Sequence, residues 1–180
     1  RLLIDLIRVA IDSEQFDINA VDSADKKCTA LLHACYGTKN HEMGVDAASE
    51  AVKLLLRAEG INVNAIDEYG RTSLIIASAN GHSEVVKLLL GVEGIDVNAI
   101  DKDGRTSLIL ASIYGHSEVV KLLLSSERID VNAIDDQGRT SLILASANGH
   151  SEVVKLLLGD KRIDANAIDK YGRTSLIFAS

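Results

Sequence analysis

The pentapeptide GRTSL at residues 70–74 decides the fold of this chain, because the same five residues return at a constant interval of 34 residues. They begin again at Gly104, Gly138 and Gly172, with no change in spacing. A fixed period of roughly 20 to 50 residues is typical of proteins that stack one small structural unit on the next. We therefore expect a repeat array rather than a domain with a single central core.

Comparison of the residues around each pentapeptide defines the repeating unit. Three complete units carry the same residue at 24 of their 34 positions, which leaves ten variable positions. Degenerate units flank these three, and the first whole unit contains an insertion at residues 36–46. We expect one domain, residues 1–180, made of a partial unit, four whole units and a second partial unit. Their bounds are 1–21, 22–66, 67–100, 101–134, 135–168 and 169–180.

Each unit carries local signals for two helices and a turn. Thr72 precedes an apolar run and can cap a short first helix through its hydroxyl, and Gly81 can end that helix in the left-handed conformation. Ser83 is expected to cap a second helix, to which residues 85–90 contribute a broad apolar stripe. The DKDG sequence at residues 101–104 ends in a glycine suited to positive φ, so a β-turn finger should connect the units.

The motifs D-x-x-G-R-T-S-L, A-S-x-x-G-H-S-E-V-V-K-L-L-L and I-D-V-N-A follow one another in each complete unit, apart from one Val-to-Ala change. Together they resemble the ankyrin repeat family over essentially the whole chain apart from the insertion. The resemblance implies an all-α solenoid of helix-turn-helix units joined by β-turn fingers, which binds other proteins through a concave groove. Two departures from the family are visible. Ser73 and Ile75 replace the Pro and His of the usual Thr-Pro-Leu-His, and one extra residue lengthens the loop at residues 91–94.

Composition and charge exclude several classes of function. Hydrophobic residues make up 47% of the chain and charged residues 25%, which fits a folded protein with an aliphatic core. The net charge of −7 would repel a phosphate backbone, and no cluster of Lys and Arg offsets it, so no nucleic-acid partner is expected. No apolar run approaches the ~18 residues of a membrane span, so no membrane partner is expected either.

The two cysteines and the first residues of the chain bear on its location. Cys28 and Cys35 would lie about 10 Å apart on one helix, which is too far for a disulfide. We interpret both as reduced thiols that act as small buried hydrophobes rather than as reactive groups. Residues 1–12 contain acidic side chains where a signal peptide would have none. An intracellular, cytoplasmic location is therefore expected.

Residues that could carry chemistry are better explained by structural roles. His82, His116 and His150 occupy equivalent positions that should lie roughly 8 to 10 Å apart, whereas zinc ligands lie about 2 Å from one ion. We expect them to bond to the backbone of neighbouring loops. The DKDG turn at residues 101–104 begins like a calcium loop, but no Glu follows at the distance that would close such a site. No catalytic residue, metal or cofactor is expected. A series of asparagines is expected to satisfy backbone groups around the finger turns: Asn64, Asn98, Asn132 and Asn166.

The ten variable positions indicate a surface that contacts a partner protein. Several fall at the finger tips and at the end of the first helix, which project into the groove of ankyrin-like arrays, whereas the solvent-facing Ser83, Glu84 and Lys87 are invariant. This pattern favours recognition over neutral drift, even though the loop at residues 91–94 varies as well. The expected contact residues are Glu68, Tyr69, Arg71, Asn80, Lys102, Asp103, Arg105, Ile113, Tyr114, Asp136, Gln137, Arg139, Asn148, Lys170, Tyr171 and Arg173.

Three questions stay open at this point. The four arginines either form a positive ladder suited to an acidic and aromatic partner, or each pairs with a neighbouring Asp. The array could instead be an architectural spacer, or a targeting module for a catalytic domain outside the chain. The chain opens and closes with apolar residues and shows no polar cap, so further repeats or head-to-tail stacking of one chain on another should cover them: Leu2, Leu3, Ile4, Leu6, Ile7, Val9, Leu176, Ile177, Phe178 and Ala179.

Overall fold

The computed structural model describes Asp17, Asn19, Ala20, residues 29–36 and residues 45–178. Within these residues the regular structure is helical, and the predicted all-α architecture is confirmed. The predictions for residues 1–16, for Cys28 and for most of the 36–46 insertion lie outside the described residues. The helices are α1 (Ala30–Tyr36), α2 (Val45–Leu55), α3 (Ser73–Ala79), α4 (Ser83–Leu90), α5 (Ser107–Ile113), α6 (Ser117–Leu124), α7 (Ser141–Ala147), α8 (Ser151–Leu158) and a final 3-10 helix (Ser175–Phe178).

The helices pack in two parallel rows. The first helices of successive units, α1, α3, α5 and α7, contact one another in order, and α7 contacts the 3-10 helix. The second helices, α2, α4, α6 and α8, form the other row in the same order. Each helix therefore packs against its equivalent in the neighbouring unit, which is the arrangement of a solenoid. No helix in the described part of the chain is long and apolar enough to cross a membrane.

The first helix of each complete unit begins and ends as predicted. The Thr72 hydroxyl accepts a hydrogen bond from the Ile75 amide at 3.3 Å, and its equivalents in the next two units do the same. Gly81 takes φ = 75°, so that the His82 amide can donate back to the Ala77 carbonyl at 3.0 Å. These bonds satisfy groups that a helix end otherwise leaves without partners.

The predicted cap of the second helix is wrong by one residue. A capping side chain must belong to the residue just before the first helical one. Helix α4 starts at Ser83 itself, and the capping position is held by His82, whose side chain makes no capping hydrogen bond. The reversal at Gly81 brings the chain into the helix one residue earlier than the sequence pattern suggested. The α6 and α8 helices begin in the same way.

The core is a continuous aliphatic stack between the two rows of helices. Leu74, Val86 and Leu89 are fully buried, as are Val120 and Leu123 in the following unit. Burying one such side chain stabilises the fold by about 1.5 to 3 kcal/mol relative to leaving it exposed. Since much of each stripe is covered by the next unit, the stability of a unit depends on its neighbours.

Cys35 belongs to this core. The side chain is fully buried, which confirms the prediction of a small buried hydrophobe for this cysteine. Burial raises the pKa of its thiol to about 12, while a hydrogen bond with Ser73 acts in the opposite direction. The thiol is therefore protonated at neutral pH, and a protonated thiol is a poor nucleophile.

Candidate protein-binding surface

Each finger is built around one buried aspartate. Asp67 is 4% exposed, and its Oδ1 accepts hydrogen bonds from the amides of Tyr69 and Arg71 at 2.8 and 2.9 Å. Its Oδ2 accepts from the Arg71 Nε at 2.9 Å. Burial alone would raise the pKa of Asp67, but hydrogen bonds from Tyr36, Arg71 and Tyr69 bring it below its usual value. The carboxylate therefore holds the turn closed.

The same aspartate decides between the two interpretations of the arginine row. Arg71 and Asp67 form an ion pair at 2.9 Å, and the other three units repeat it at 2.7 to 2.8 Å. The alternative in which each Arg pairs with a neighbouring Asp is the one observed, and an uncompensated positive ladder is not. The Arg71 side chain is still 26% exposed, so part of its guanidinium faces outward. The equivalent pairs are Arg105 with Asp101, Arg139 with Asp135 and Arg173 with Asp169.

Neighbouring fingers are joined through their main chains. The Lys102 amide donates to the Tyr69 carbonyl at 3.0 Å, and two further bonds of 3.1 and 3.0 Å continue the row. These backbone bonds do not depend on the side chains at the tip positions, which differ between units; between the last two fingers the Lys170 Nζ also donates to the Asp136 carbonyl. The two later bonds run from Asp136 to Asp103 and from Lys170 to Gln137.

Tyrosine rings contact the first and last arginines of the row. The Arg71 guanidinium carbon lies 5.2 Å from the Tyr36 ring centre and 4.6 Å from the Tyr69 ring centre. The Tyr36 hydroxyl donates to Asp67 and accepts a hydrogen bond from Arg71. Tyr36 is not among the contact residues predicted from the sequence, although it occupies the place of Ala79 in the next unit. The equivalent contact at the other end joins Arg173 to Tyr171 at 4.7 Å.

The ends of the first helices contribute the other predicted positions. Tyr114 is 55% exposed, and its ring centre lies 6.2 Å from that of His116. Ile113 and Asn80 are half-buried, and Asn148 is exposed. These places lie at the ends of α5, α3 and α7, which are neighbours in one row.

The predicted partner residues are all accessible. Every one is exposed or half-buried, and the most exposed tyrosine is Tyr171 at 69%. The finger-tip residues are the more exposed group, and the arginines are the less exposed group because they fold back onto their aspartates. The tip residues are Glu68, Tyr69, Lys102, Asp103, Asp136, Gln137, Lys170 and Tyr171.

His116 and His150 have the structural role that the sequence predicted for the three histidines. The His116 Nε2 lies 3.1 Å from the Ala79 carbonyl, and the His150 Nε2 lies 2.8 Å from the Ile113 carbonyl. Each therefore binds the backbone of the preceding unit. Burial, with a smaller contribution from nearby His116, lowers the pKa of His82. Across the described residues, no three His, Cys, Asp or Glu side chains are grouped closely enough to hold a metal ion.

The asparagines satisfy backbone groups, but not around the finger turns as expected. Asn64 Nδ2 donates to the Gly94 carbonyl at 2.8 Å, and its Oδ1 accepts from the Asp96 amide at 2.9 Å. Asn98 and Asn132 make the same two bonds to the following unit. The asparagine precedes the finger and reaches along the stack, so it joins the loops that follow successive second helices.

Contacts between units partly explain why the sequence of those loops differs from one unit to the next. Arg128 Nη1 donates to the Ile95 carbonyl at 3.3 Å, and Arg162 Nη2 donates to the Leu124 carbonyl at 2.7 Å. Both arginines therefore contact the preceding unit, whereas the equivalent position of the unit before them is Gly94. Because this loop makes contacts between units, its sequence variation gives little support to neutral drift.

The geometry defines an all-α repeat solenoid with a row of joined fingers on one edge. A family model for ankyrin repeats, described as three copies, matches residues 3–101, 43–135, 91–169 and 130–180. The chain therefore belongs to the ankyrin repeat family. Ankyrin repeats are in general protein–protein interaction modules and typically not enzymes. No curated protein matches the sequence.

Proposed function

We propose that this chain binds a partner protein through its concave groove, with the finger residues and the ends of the first helices as the contact surface. The observation that carries the proposal is the concentration of exposed Tyr and restrained Arg at these places. Tyr and Arg are among the residues that most often dominate the energy of protein interfaces.

The arginine pairs support a specific kind of contact. Asp67 holds the Arg71 side chain through a hydrogen bond, and the guanidinium carbon of Arg71 lies over the rings of Tyr36 and Tyr69. A side chain that is held in place before binding loses less conformational entropy when the partner arrives. An aromatic ring or a carboxylate of the partner can then meet a guanidinium whose orientation is already set.

The middle of the groove offers a test that leaves the fingers intact. Ile113→Ala with Tyr114→Ala removes two side chains at the end of α5 that form neither an ion pair nor a hydrogen bond of the Asp–Arg bridges. Arg105→Ala is a poorer choice, because it would leave the buried Asp101 carboxylate without its ion pair. The matched control is Glu84→Ala with Lys87→Ala, which alters two exposed positions of α4.

The measurement is quantitative affinity purification, followed by titration of any protein recovered. A true partner should bind the unchanged chain and the α4 variant equally well, and the α5 variant at least tenfold more weakly. Loss of binding only in the α4 variant would place the contact on the opposite face. If every recovered protein binds the two variants equally well, or none is recovered, the result favours an architectural spacer.

A further inference from the structure

Four exposed isoleucines follow the finger row at one position of the repeat. Each precedes the buried aspartate of its finger and is 57% to 61% exposed. We call this row of solvent-exposed side chains the isoleucine strip, because exposed apolar surface that recurs in register is a candidate contact surface. The position is not among the contact residues predicted from the sequence, because it does not vary. The isoleucines are Ile66, Ile100, Ile134 and Ile168.

Exposed charges accompany the isoleucines. Ile134 and Ile168 line one shallow depression between the last two fingers, together with Asp136 and Lys170. The equivalent charged positions in the first two fingers are Glu68 and Lys102, and both are exposed. Their signs along the row are negative, positive, negative, positive.

This order of charges is complementary to its own reverse. A two-fold axis between the second and third fingers would place Glu68 of one copy opposite Lys170 of another, and Lys102 opposite Asp136. The isoleucines would meet in the same register, Ile66 with Ile168 and Ile100 with Ile134. At the neighbouring tip position, the same axis pairs Tyr69 with Tyr171 and Asp103 with Gln137, so no like charges meet there. A parallel arrangement would instead bring like charges together.

We propose that the occupant of the isoleucine strip is a second copy of this chain, in an antiparallel two-fold dimer joined finger row to finger row. Such a contact closes on itself, so association stops at two copies. It differs from head-to-tail stacking, which uses the ends of the array and can continue. It goes beyond the proposed function, with which it shares the charged finger-tip residues but not Ile113 and Tyr114 at the end of α5.

Two variants of unchanged net charge test the charge order. In the first, Asp136→Lys with Lys170→Asp gives the order negative, positive, positive, negative, so every antiparallel pair becomes a pair of like charges. In the second, Glu68→Lys with Lys102→Glu gives the opposite order and has the same effect. Both keep the net charge of −7. Each alone should associate at least tenfold more weakly than the unchanged chain, and an equal mixture of the two should form a heterodimer.

The measurement is sedimentation equilibrium of the full chain from micromolar to millimolar concentration, at low ionic strength where exposed charges are least screened. The unchanged chain should reach a species of twice 19.3 kDa and no larger one. Circular dichroism should show the same helix content in each variant, because the four charged positions are exposed. Ile134→Gln should weaken the dimer, whereas Leu158→Gln, at a residue that is 56% exposed but outside the strip, should not.

Three results would overturn the proposal. They are a chain that stays monomeric over the whole range, variants that associate as tightly as the unchanged chain, and a mixture that associates no better than its components. The test is independent of the groove, because Ile113→Ala with Tyr114→Ala should leave the dimer unchanged. Failure of the dimer and failure of the groove can therefore be distinguished.

Discussion

Replacement of Gly115 by Ala would place a methyl group inside the space of the His150 ring. A Cβ atom at this position would lie 2.6 Å from the ring Nδ1 and 2.8 Å from Cε1. The ring cannot simply turn away, because its Nε2 lies 2.8 Å from the Ile113 carbonyl. Gly149 occupies the equivalent place in the next unit with φ = 71°, close to the 73° of Gly115, and has no atom within 4 Å of a built Cβ.

The two glycines therefore separate backbone strain from steric contact. Either substitution puts a non-glycine residue in the left-handed region, which costs about 1 to 2 kcal/mol. Gly115→Ala should lower the free energy of unfolding by a further ~2 to 4 kcal/mol. Overpacking contributes about 1 to 3 kcal/mol of this loss, and the displaced hydrogen bond contributes about 1 kcal/mol. Urea unfolding followed by circular dichroism measures both changes.

A third variant shows whether the ring is the cause. With His150→Ala in the background, the contact is gone, and Gly115→Ala should then cost no more than Gly149→Ala does in the unchanged chain. Equal destabilisation by Gly115→Ala and Gly149→Ala in the unchanged chain would refute the steric argument. The left-handed backbone alone would then explain why this position is glycine in every complete unit.

Three other predictions concern buried groups. Burial and nearby His116 lower the pKa of His82, so below the unfolded pKa of about 6.5 the unfolded chain binds a proton that the folded chain does not. The urea midpoint should therefore fall as pH drops from about 7 towards 5, and His82→Gln should flatten this dependence; an unchanged slope would contradict the assignment. In a Cys28→Ser background, Cys35 should react with a thiol reagent only as fast as the protein opens, because its thiol is fully buried with a pKa raised to about 12; rapid labelling without denaturant would be the contrary result. Ser112→Ala should raise the free energy of unfolding by about 1 kcal/mol, because the buried Ser112 hydroxyl has no hydrogen-bond partner and Ala is the better helix former; a loss of stability in thermal or urea unfolding would reveal a bond that the structure does not contain.

The sequence predicted most accurately the features that depend on one unit alone. Thr72 caps the helix that follows it, and Gly81 ends that helix, because both roles are set by residues within a few positions along the chain. Local propensity and hydrogen bonding are sufficient for such predictions. The two helices of each unit followed from the apolar residues for the same reason.

Contacts between units were harder to predict. The partners of Asn64 lie 30 and 32 residues further along the chain, and Tyr36 reaches a finger that begins 31 residues later. No pattern within one unit gives the direction in which such a side chain extends along the stack. For Arg71, the sequence left open whether the side chain belongs to a positive ladder or pairs with a neighbouring Asp. The geometry decides for the pair, because Asp67 is buried beneath Arg71.

The finger row separates what folding requires from what it leaves free. Asp67 and its equivalents are buried and bonded, so their identity has a cause within the unit. The tip residues are joined to the next finger by main-chain atoms, so this link does not depend on which side chains the tips carry. The isoleucines fit neither group, because they are invariant and yet more than half exposed.

The degenerate first whole unit also keeps the exposed isoleucine. Residues 22–66 differ from the complete units at many positions, yet Ile66 is kept and is 58% exposed. An exposed β-branched apolar residue contributes little to the stability of the unit that carries it, since its surface stays in water. The proposed contact with a second copy, which presents the same residues in reverse order, gives a reason for its persistence beside tip charges that alternate in sign.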